Sequence, residues 1–241
     1  GLYVTADANT LRAQLRDCAC RILFVGNEEQ LDKILQIRDD CPKLQRIVIF
    51  EAKGLRDFKD PMCETFAAFV ERGRDWNATH LGDWEAGIAA IAPDDGAALI
   101  YTSGATGAPK GVMLSHRNLV ANVAQCRINI DLKNSDRVLA VLPFFHIYGM
   151  TVLLNLALKQ RATLVTMPKF DLVQFLDNIQ TYKCTYLYIA PPIAVALAKH
   201  PIVDQYDIST VHTIFSGAAP LDGDTAEAAG RRLGARMMQG Y

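Results

Sequence analysis

The stretch YTSGATGAPKGVMLSH, residues 101–116, carries the strongest structural signal in this sequence. It follows the apolar run 97–102, which predicts a β-strand, and 111–114 predicts a second strand directly after the loop. Small, polar and basic residues crowd into eight positions of that loop: Ser103, Gly104, Thr106, Gly107 and Lys110. Glycines let several N–H groups converge on an anion, hydroxyls add donors, and a lysine adds positive charge. The loop therefore predicts a polyphosphate site, with a plain hairpin turn as the alternative.

This loop differs from the P-loop of kinases and ATPases. In a P-loop, Gly stands directly before the Lys and Ser or Thr follows it, whereas here Pro109 precedes Lys110 and Gly111 follows. The strand predicted after the loop also takes the place of the helix N-terminus that binds phosphate in P-loop proteins. A kinase or ATPase of that class is therefore disfavoured.

Helices and strands alternate on both sides of the loop. Other apolar runs predict strands at 22–25, 47–50, 137–141, 162–166, 185–189 and 211–215. Helical periodicity predicts helices near 116–130, 148–159, 171–182, 191–199 and 224–233, and two short ones near 64–72 and 80–90. Strands separated by helices of about a dozen residues imply right-handed crossovers. The predicted fold class is α/β, with mainly parallel sheets flanked by helices.

Composition sets outer limits on function. Half of the 241 residues are apolar, and 25 basic against 26 acidic groups give a net charge of −1. This balance offers no electrostatic case for a nucleic-acid or anionic-membrane partner. The longest near-continuous apolar stretch, 186–198, is too short for a transmembrane segment. Six cysteines without a C-x-x-C pair predict free thiols, no metal site and a cytoplasmic location.

Four stretches of the sequence together resemble one family. The loop 101–116 resembles the phosphate-binding signature of the adenylate-forming superfamily, which contains acyl-CoA synthetases, 4-coumarate–CoA ligases, luciferases and peptide-synthetase adenylation domains. PFFHIYGM at 143–150 resembles the aromatic-histidine motif of the coumarate and fatty acyl ligases, and SGAAPL at 216–221 resembles the adenine and acyl pocket loop. The segment 239–241 is similar to the start of the family's Q-G-Y-G-x-T-E segment.

The resemblance implies a two-step reaction. A carboxylate attacks the α-phosphate of Mg-ATP to give acyl-AMP and pyrophosphate, and a thiol, usually of coenzyme A, then displaces AMP. The implied protein is an acyl-CoA ligase for a fatty or 4-coumarate-like aryl acid, which uses ATP, Mg²⁺ and coenzyme A. Two alternatives stay open: an adenylation domain that loads a carrier-protein thiol, and a non-catalytic relative that binds nucleotide or acyl ligand.

The resemblance also implies roles for individual residues. The β- and γ-phosphates would be wrapped by Thr102, Ser103, Gly104, Ala105, Thr106, Gly107 and Lys110. His146, unless it is simply packed in the core, would lie against the reacting carboxylate, with Tyr148 in the acyl pocket. The adenine and acyl groups would meet Ser216, Gly217, Ala218, Gln239, Gly240 and Tyr241, and coenzyme A would meet Lys169. Lys110 and His146 are the candidate catalytic residues. Caps, turns or solvated faces are predicted for His116, Asp136, Asp171, Arg231 and Arg232.

Two departures from the family pattern are visible. Ala105 stands where the family has Ser or Thr, which removes one side-chain donor to ATP. Residues 1–241 correspond to an incomplete large N-terminal domain, with 1–95 as one portion, 96–241 as the portion with the phosphate loop and pocket, and the C-terminal lid domain absent. The chain by itself is therefore expected to be inactive, and the activity belongs to a longer parent.

Overall fold

A computed structural model describes residues 1–102 and 110–240 of the chain. Ser103, Gly104, Ala105, Thr106, Gly107 and Tyr241, all predicted site residues, lie outside the described part. The chain divides into two compact units, Gly1–His116 and Arg117–Tyr241. The two strands that flank residues 103–109 belong to the first unit. The sequence analysis instead placed them in the portion 96–241.

The first unit contains a three-stranded parallel sheet and a hairpin. The sheet has the order β1-β2-β3, and the hairpin strands β4 and β5 are antiparallel. Its strands are β1 (Ile22–Val25), β2 (Arg46–Ile49), β3 (Cys63–Thr65), β4 (Gly96–Thr102) and β5 (Lys110–Ser115). Its helices are α1 (Ala8–Asp17), α2 (Glu28–Leu35), α3 (Phe66–Thr79) and α4 (Asp83–Ala89), with a 3₁₀ turn at Arg38–Asp40. The helix predicted near 64–72 corresponds to α3, which begins at Phe66 and extends to Thr79. It begins there because Thr65, the last residue of β3, caps it by accepting a hydrogen bond from the Ala68 N–H.

The second unit is built around a five-stranded parallel sheet of order β10-β9-β8-β6-β7. Its strands are β6 (Arg137–Ala140), β7 (Thr163–Thr166), β8 (Tyr186–Ile189), β9 (Thr213–Gly217) and β10 (Arg236–Gly240). Its helices are α5 (His116–Asn129), a π-helix at Gly149–Asn155, α6 (Leu156–Gln160), α7 (Leu172–Tyr182), α8 (Pro191–Lys199), a 3₁₀ turn at Pro201–Gln205 and α9 (Gly223–Leu233).

The central strand β8 shows why this sheet is covered on both faces. All four of its residues are buried. Tyr186 and Tyr188 pack into one apolar cluster, while Leu187 and Ile189 pack into the cluster on the opposite face. Side chains alternate between faces along a strand, so two helical layers enclose the sheet. The α/β fold class is therefore confirmed.

Asp171 caps α7 by accepting a hydrogen bond from the Gln174 N–H, as predicted. Arg232 is not a solvated residue: it pairs with Asp204 and donates to the carbonyls of Leu197 and Ala198, so it joins α9 to the end of α8. Among the residues that the structure describes, no helix combines the length and the apolar character needed to cross a bilayer.

Asp136 does more than close a turn. It is only 3% exposed, and its carboxylate accepts hydrogen bonds from the Lys133 N–H, the Thr185 hydroxyl and His212 Nε2. Burial alone would raise the pKa of Asp136, but these donors outweigh burial and lower it below its ordinary value. Asp136 thus connects the segments that lead into β6, β8 and β9, which corrects its prediction as a simple cap or turn.

Candidate active site at the carboxyl edge of the five-stranded sheet

The sheet register brings two of the sequence motifs together. Ser216 lies beside Gln239, and Gly217 lies beside Gly240, because β9 and β10 pair in parallel. On the other side of β9, Ile189 at the end of β8 pairs with Ser216. The motifs at 216–221 and 239–241 therefore meet at the carboxyl edge, where ligands bind in open α/β sheets.

A cavity of about 590 Å³ opens at this edge, and we call it the carboxyl-edge cavity. Its volume is within the range of about 300–1,000 Å³ that is usual for small-molecule sites. Five predicted site residues line it: His146, Tyr148, Ala218, Gln239 and Gly240. The other lining residues are Asn122, Cys126, Asn129, Ile130, Ile147, Thr151, Val152, Phe215 and Met238. Ser216 and Gly217 lie in the adjoining strand but do not line the cavity.

Tyr148 forms a fixed wall of the carboxyl-edge cavity. Its hydroxyl donates to the carbonyl oxygen of Phe215 at 3.0 Å and lies 3.4 Å from the carbonyl oxygen of Ile189. Burial raises the pKa of Tyr148, so the phenol keeps its proton and remains a donor. The side chain therefore joins the ends of β8 and β9.

His146 is half-buried and presents an edge to the same cavity. Its Nδ1 accepts a hydrogen bond from the Tyr148 N–H at 3.2 Å. In the neutral ring the proton is then on Nε2, which leaves an N–H donor for another acceptor. This arrangement suits contact with a ligand oxygen.

An unusual helical segment follows these two residues. Residues Gly149–Asn155 form a π-helix, a rare conformation that is often found at functional sites. Only glycine fits its start, because a Cβ at Gly149 would lie 2.1 Å from the carbonyl oxygen of Pro143. Thr151 lines the cavity, and its buried hydroxyl has no hydrogen-bond partner among the described residues. The π-helix therefore leaves a buried hydroxyl at the cavity wall.

The sequence analysis missed the contribution of α5. Asn122, Cys126 and Asn129 recur at intervals of four and three residues and line the cavity from one face of this helix. Burial raises the pKa of the Cys126 thiol, and its sulfur lies 3.6 Å from Asn122 Oδ1. The polar spacing was visible in the sequence, but nothing in it showed that this face points to a cavity.

The hairpin of the first unit holds two further predicted residues. Thr102 and Lys110 are paired in register and exposed on either side of residues 103–109. Next to Thr102, the Tyr101 hydroxyl donates to Asp17 Oδ2 at 2.6 Å and lies 3.2 Å from the Gln14 carbonyl oxygen. Tyr101 thus fastens the hairpin to α1, a role that the sequence analysis missed because the partners are far apart in the chain.

Lys169 lies beyond the end of β7, the edge strand at the opposite side of the sheet from β10. It is exposed and does not line the carboxyl-edge cavity. Among the described residues, no group of three His, Cys, Asp or Glu side chains could hold a metal ion.

Comparison with known proteins decides the family. The family model described as "AMP-binding enzyme" matches residues 1–241. The chain belongs to the AMP-binding enzyme family. This membership confirms the adenylate-forming resemblance, and the α/β fold agrees with solved structures of similar proteins.

Three similar proteins show how far the likeness to other AMP-binding enzymes extends. The chain is 46% identical to 4-coumarate–CoA ligase 2 of Nicotiana tabacum over 156 residues, which are 63% of this chain and 29% of that protein. The anthranilate CoA ligase AuaEII, solved in complex with anthranoyl-AMP, gives a TM-score of 0.78 at 23% identity over 100% of this chain and 44% of that one. ATP-bound MatB of Rhodopseudomonas palustris gives a TM-score of 0.70 at 22% identity over 98% and 43%. The matched part of the chain thus spans less than a third of the length of the Nicotiana tabacum ligase and less than half of the length of each of the two solved chains.

Proposed function

We propose that this chain forms the carboxylate- and nucleotide-binding part of an ATP-dependent acyl-CoA ligase. The enzyme would convert a fatty acid or a 4-coumarate-like aryl acid to acyl-AMP and pyrophosphate, then transfer the acyl group to coenzyme A. One observation carries the proposal: residues from three separate motifs line the carboxyl-edge cavity. The sequence likeness to a tobacco 4-coumarate–CoA ligase supports it.

In the first step, a carboxylate oxygen bonds to the α-phosphorus of Mg-ATP while the bond to pyrophosphate breaks. Such a displacement depends on positioning and charge neutralisation more than on covalent help from the protein. We assign His146 Nε2–H to the reacting carboxylate and Tyr148 to the acyl wall. Ala218, Gln239 and Gly240 would face the adenine and acyl phosphate, together with Ser216, Gly217 and Tyr241.

Lys110 and the loop before it would neutralise the β- and γ-phosphates, because glycines, hydroxyls and a lysine within one short sequence suit a polyphosphate. In the second step, the sulfur of coenzyme A attacks the acyl carbonyl carbon and AMP leaves with the electrons of the broken C–O bond. Lys169 is our candidate contact for coenzyme A. All six cysteines are free thiols, which fits a reducing compartment such as the cytoplasm.

The test is carboxylate-dependent exchange of labelled pyrophosphate into ATP, measured on the full-length protein with 4-coumarate and with dodecanoate. His146→Gln should slow exchange about 10- to 100-fold, the loss expected for one hydrogen bond to a charged group. His200→Gln is the matched control, because His200 is exposed beyond α8. A folded protein that binds ATP but shows no exchange with either acid would overturn the ligase proposal in favour of a non-catalytic relative.

The acceptor is tested separately. If the first step occurs, thioester formation should follow with free coenzyme A, and Lys169→Gln should raise its KM with little change in the exchange rate. Thioester formation only on a carrier protein would instead identify an adenylation domain.

A further inference from the structure

A second cavity opens at the opposite, amino edge of the five-stranded sheet. It has a volume of about 320 Å³, and we call it the amino-edge cavity. It is lined by Asp131, Lys133, Ser135, Asp136, Tyr186, His212, Thr213, Arg236 and Met238. The strands begin here, so this cavity belongs to neither the predicted motifs nor the proposed reaction.

The strand register arranges three of its residues in one row. Tyr186 pairs with Thr213, and Thr213 pairs with Arg236, across the first rung of β8, β9 and β10. Residues paired in register point to the same face of a sheet. Met238, two residues after Arg236, follows on that face and also lines the cavity.

A buried hydroxyl in this row has a proton without an acceptor. Tyr186 is 1% exposed and its ring stacks on Tyr188 at 4.9 Å, so the neighbouring Tyr188 hydroxyl can donate to it, but the Tyr186 proton itself meets no acceptor among the described residues. Burial raises the pKa of Tyr186 to about 12, so the group remains a protonated donor. Buried polar groups are nearly always paired, so an unpaired one at a cavity requires an explanation.

One cation of the amino-edge cavity has no partner in the described part of the chain. Asp131 pairs with Lys133 at 3.4 Å, and the Asp136 carboxylate accepts hydrogen bonds from Lys133, Thr185 and His212. The Arg236 side chain, by contrast, forms no ion pair or hydrogen bond within the described part of the chain. A guanidinium presents donors in a planar fork that matches carboxylate and phosphate oxygens.

We propose that the amino-edge cavity binds a small oxyanion, the phosphate or carboxylate group of a small molecule, through the Arg236 guanidinium and the Tyr186 hydroxyl. The volume lies at the lower end of the range for small-molecule sites, which fits a compact ligand. The amino-edge cavity shares one lining residue, Met238, with the carboxyl-edge cavity, and it uses none of the residues assigned to the ligase reaction, so this proposal stands whether or not the ligase proposal holds.

The test uses the full-length protein with ¹³C-methyl methionine, titrated with inorganic phosphate and separately with malonate. The Met238 methyl group reports on the cavity, whereas its neighbour Met237 packs against the cluster that contains Leu187 and serves as an internal control. We expect a saturable shift of Met238 with at least one probe and little change at Met237. The probe that saturates tells whether phosphate or carboxylate is preferred.

Variants identify the ligand contacts. Arg236→Gln should weaken binding about tenfold or more, and Tyr186→Phe about two- to tenfold, as expected for a charged and a neutral hydrogen bond. Arg231→Gln should change nothing, because Arg231 is exposed on α9 and, within residues 1–102 and 110–240, pairs only with Glu227. The proposal is overturned if neither phosphate nor malonate gives a saturable shift of Met238. It is also overturned if Arg236→Gln binds the probe as tightly as the wild type does. That second result would place the ligand in the carboxyl-edge cavity, which Met238 also lines.

Discussion

Replacing Gly217 with alanine tests the geometry of the carboxyl-edge site. A Cβ at this position would lie 2.9 Å from Cζ of Tyr148 and 3.1 Å from the carbonyl oxygen of Gly240. Ordinary carbon contacts begin near about 3.5 Å, so the methyl group is too close to both a ring and a backbone atom. The Tyr148 ring must move, and its 3.0 Å hydrogen bond to Phe215 moves with it.

The cost follows from overpacking. Inserting a methyl group into a well-packed site typically costs about 1–3 kcal/mol, and the loss of one neutral hydrogen bond adds about 0.5–1.5 kcal/mol. We expect Gly217→Ala to lower the free energy of unfolding by about 1.5–4.5 kcal/mol, the sum of these two terms. The displaced wall should also raise the KM for the carboxylate more than it raises the KM for ATP.

The assay is equilibrium urea unfolding of the full-length protein, with Gly223→Ala as the matched control. Gly223 begins α9, and a Cβ there would meet no atom within 4 Å. That alanine should be neutral or stabilise by up to about 1 kcal/mol. If the two variants unfold within about 0.5 kcal/mol of each other, the close contact with Tyr148 does not exist in solution and the proposed cavity wall is wrong.

Three further predictions concern other parts of the chain. Asp136→Asn should destabilise by about 2–3 kcal/mol at pH 7, because a buried acceptor of three hydrogen bonds loses its charge. The pKa of Asp136 is lowered in the folded protein, so its contribution to the free energy of unfolding is present above the ordinary pKa and is lost as pH falls through the folded value. In urea unfolding below pH 4, the free energy of unfolding should therefore fall with pH more steeply in the wild type than in the variant. Equal slopes would refute this prediction. Tyr101→Phe should cost about 0.5–1.5 kcal/mol and raise the KM for ATP, whereas Tyr182→Phe, at an exposed tyrosine, should do neither. Ala105→Thr should lower the KM for ATP by restoring a donor, and an unchanged KM would show that this hydroxyl has no role.

Much of the five-stranded sheet could be predicted from the sequence, because buried parallel strands are continuous apolar runs. The run at 185–189 predicted β8, and the structure places that strand at Tyr186–Ile189. The short strand β3 was missed because three residues, Cys63–Thr65, give no detectable alternation. The helix predicted at 148–159 is half π-helix, a distinction that hydrophobic periodicity does not report.

The lining of the carboxyl-edge cavity could be predicted only for residues that belong to one of the sequence motifs. His146 and Tyr148 belong to one motif, Ala218, Gln239 and Gly240 to two others, and all five line the cavity. Asn122 and Thr151 line the same cavity from other elements, but their contribution depends on how α5 and the π-helix turn toward the sheet. Periodicity gives the apolar face of a helix, not the few polar positions that point to a ligand.

The two cavities differ in a way that follows from the direction of the strands. In parallel α/β units, helix N-termini collect at the carboxyl edge and helix C-termini at the amino edge. The partial positive charge of the helix N-termini favours anions at the carboxyl edge, and the partial negative charge of the helix C-termini disfavours anions at the amino edge. Helices α7 and α9 end at Tyr182 and Leu233, just before β8 and β10 begin. An oxyanion at the amino edge would therefore depend on the charge of Arg236, which is why the single substitution Arg236→Gln should weaken its binding by about tenfold or more.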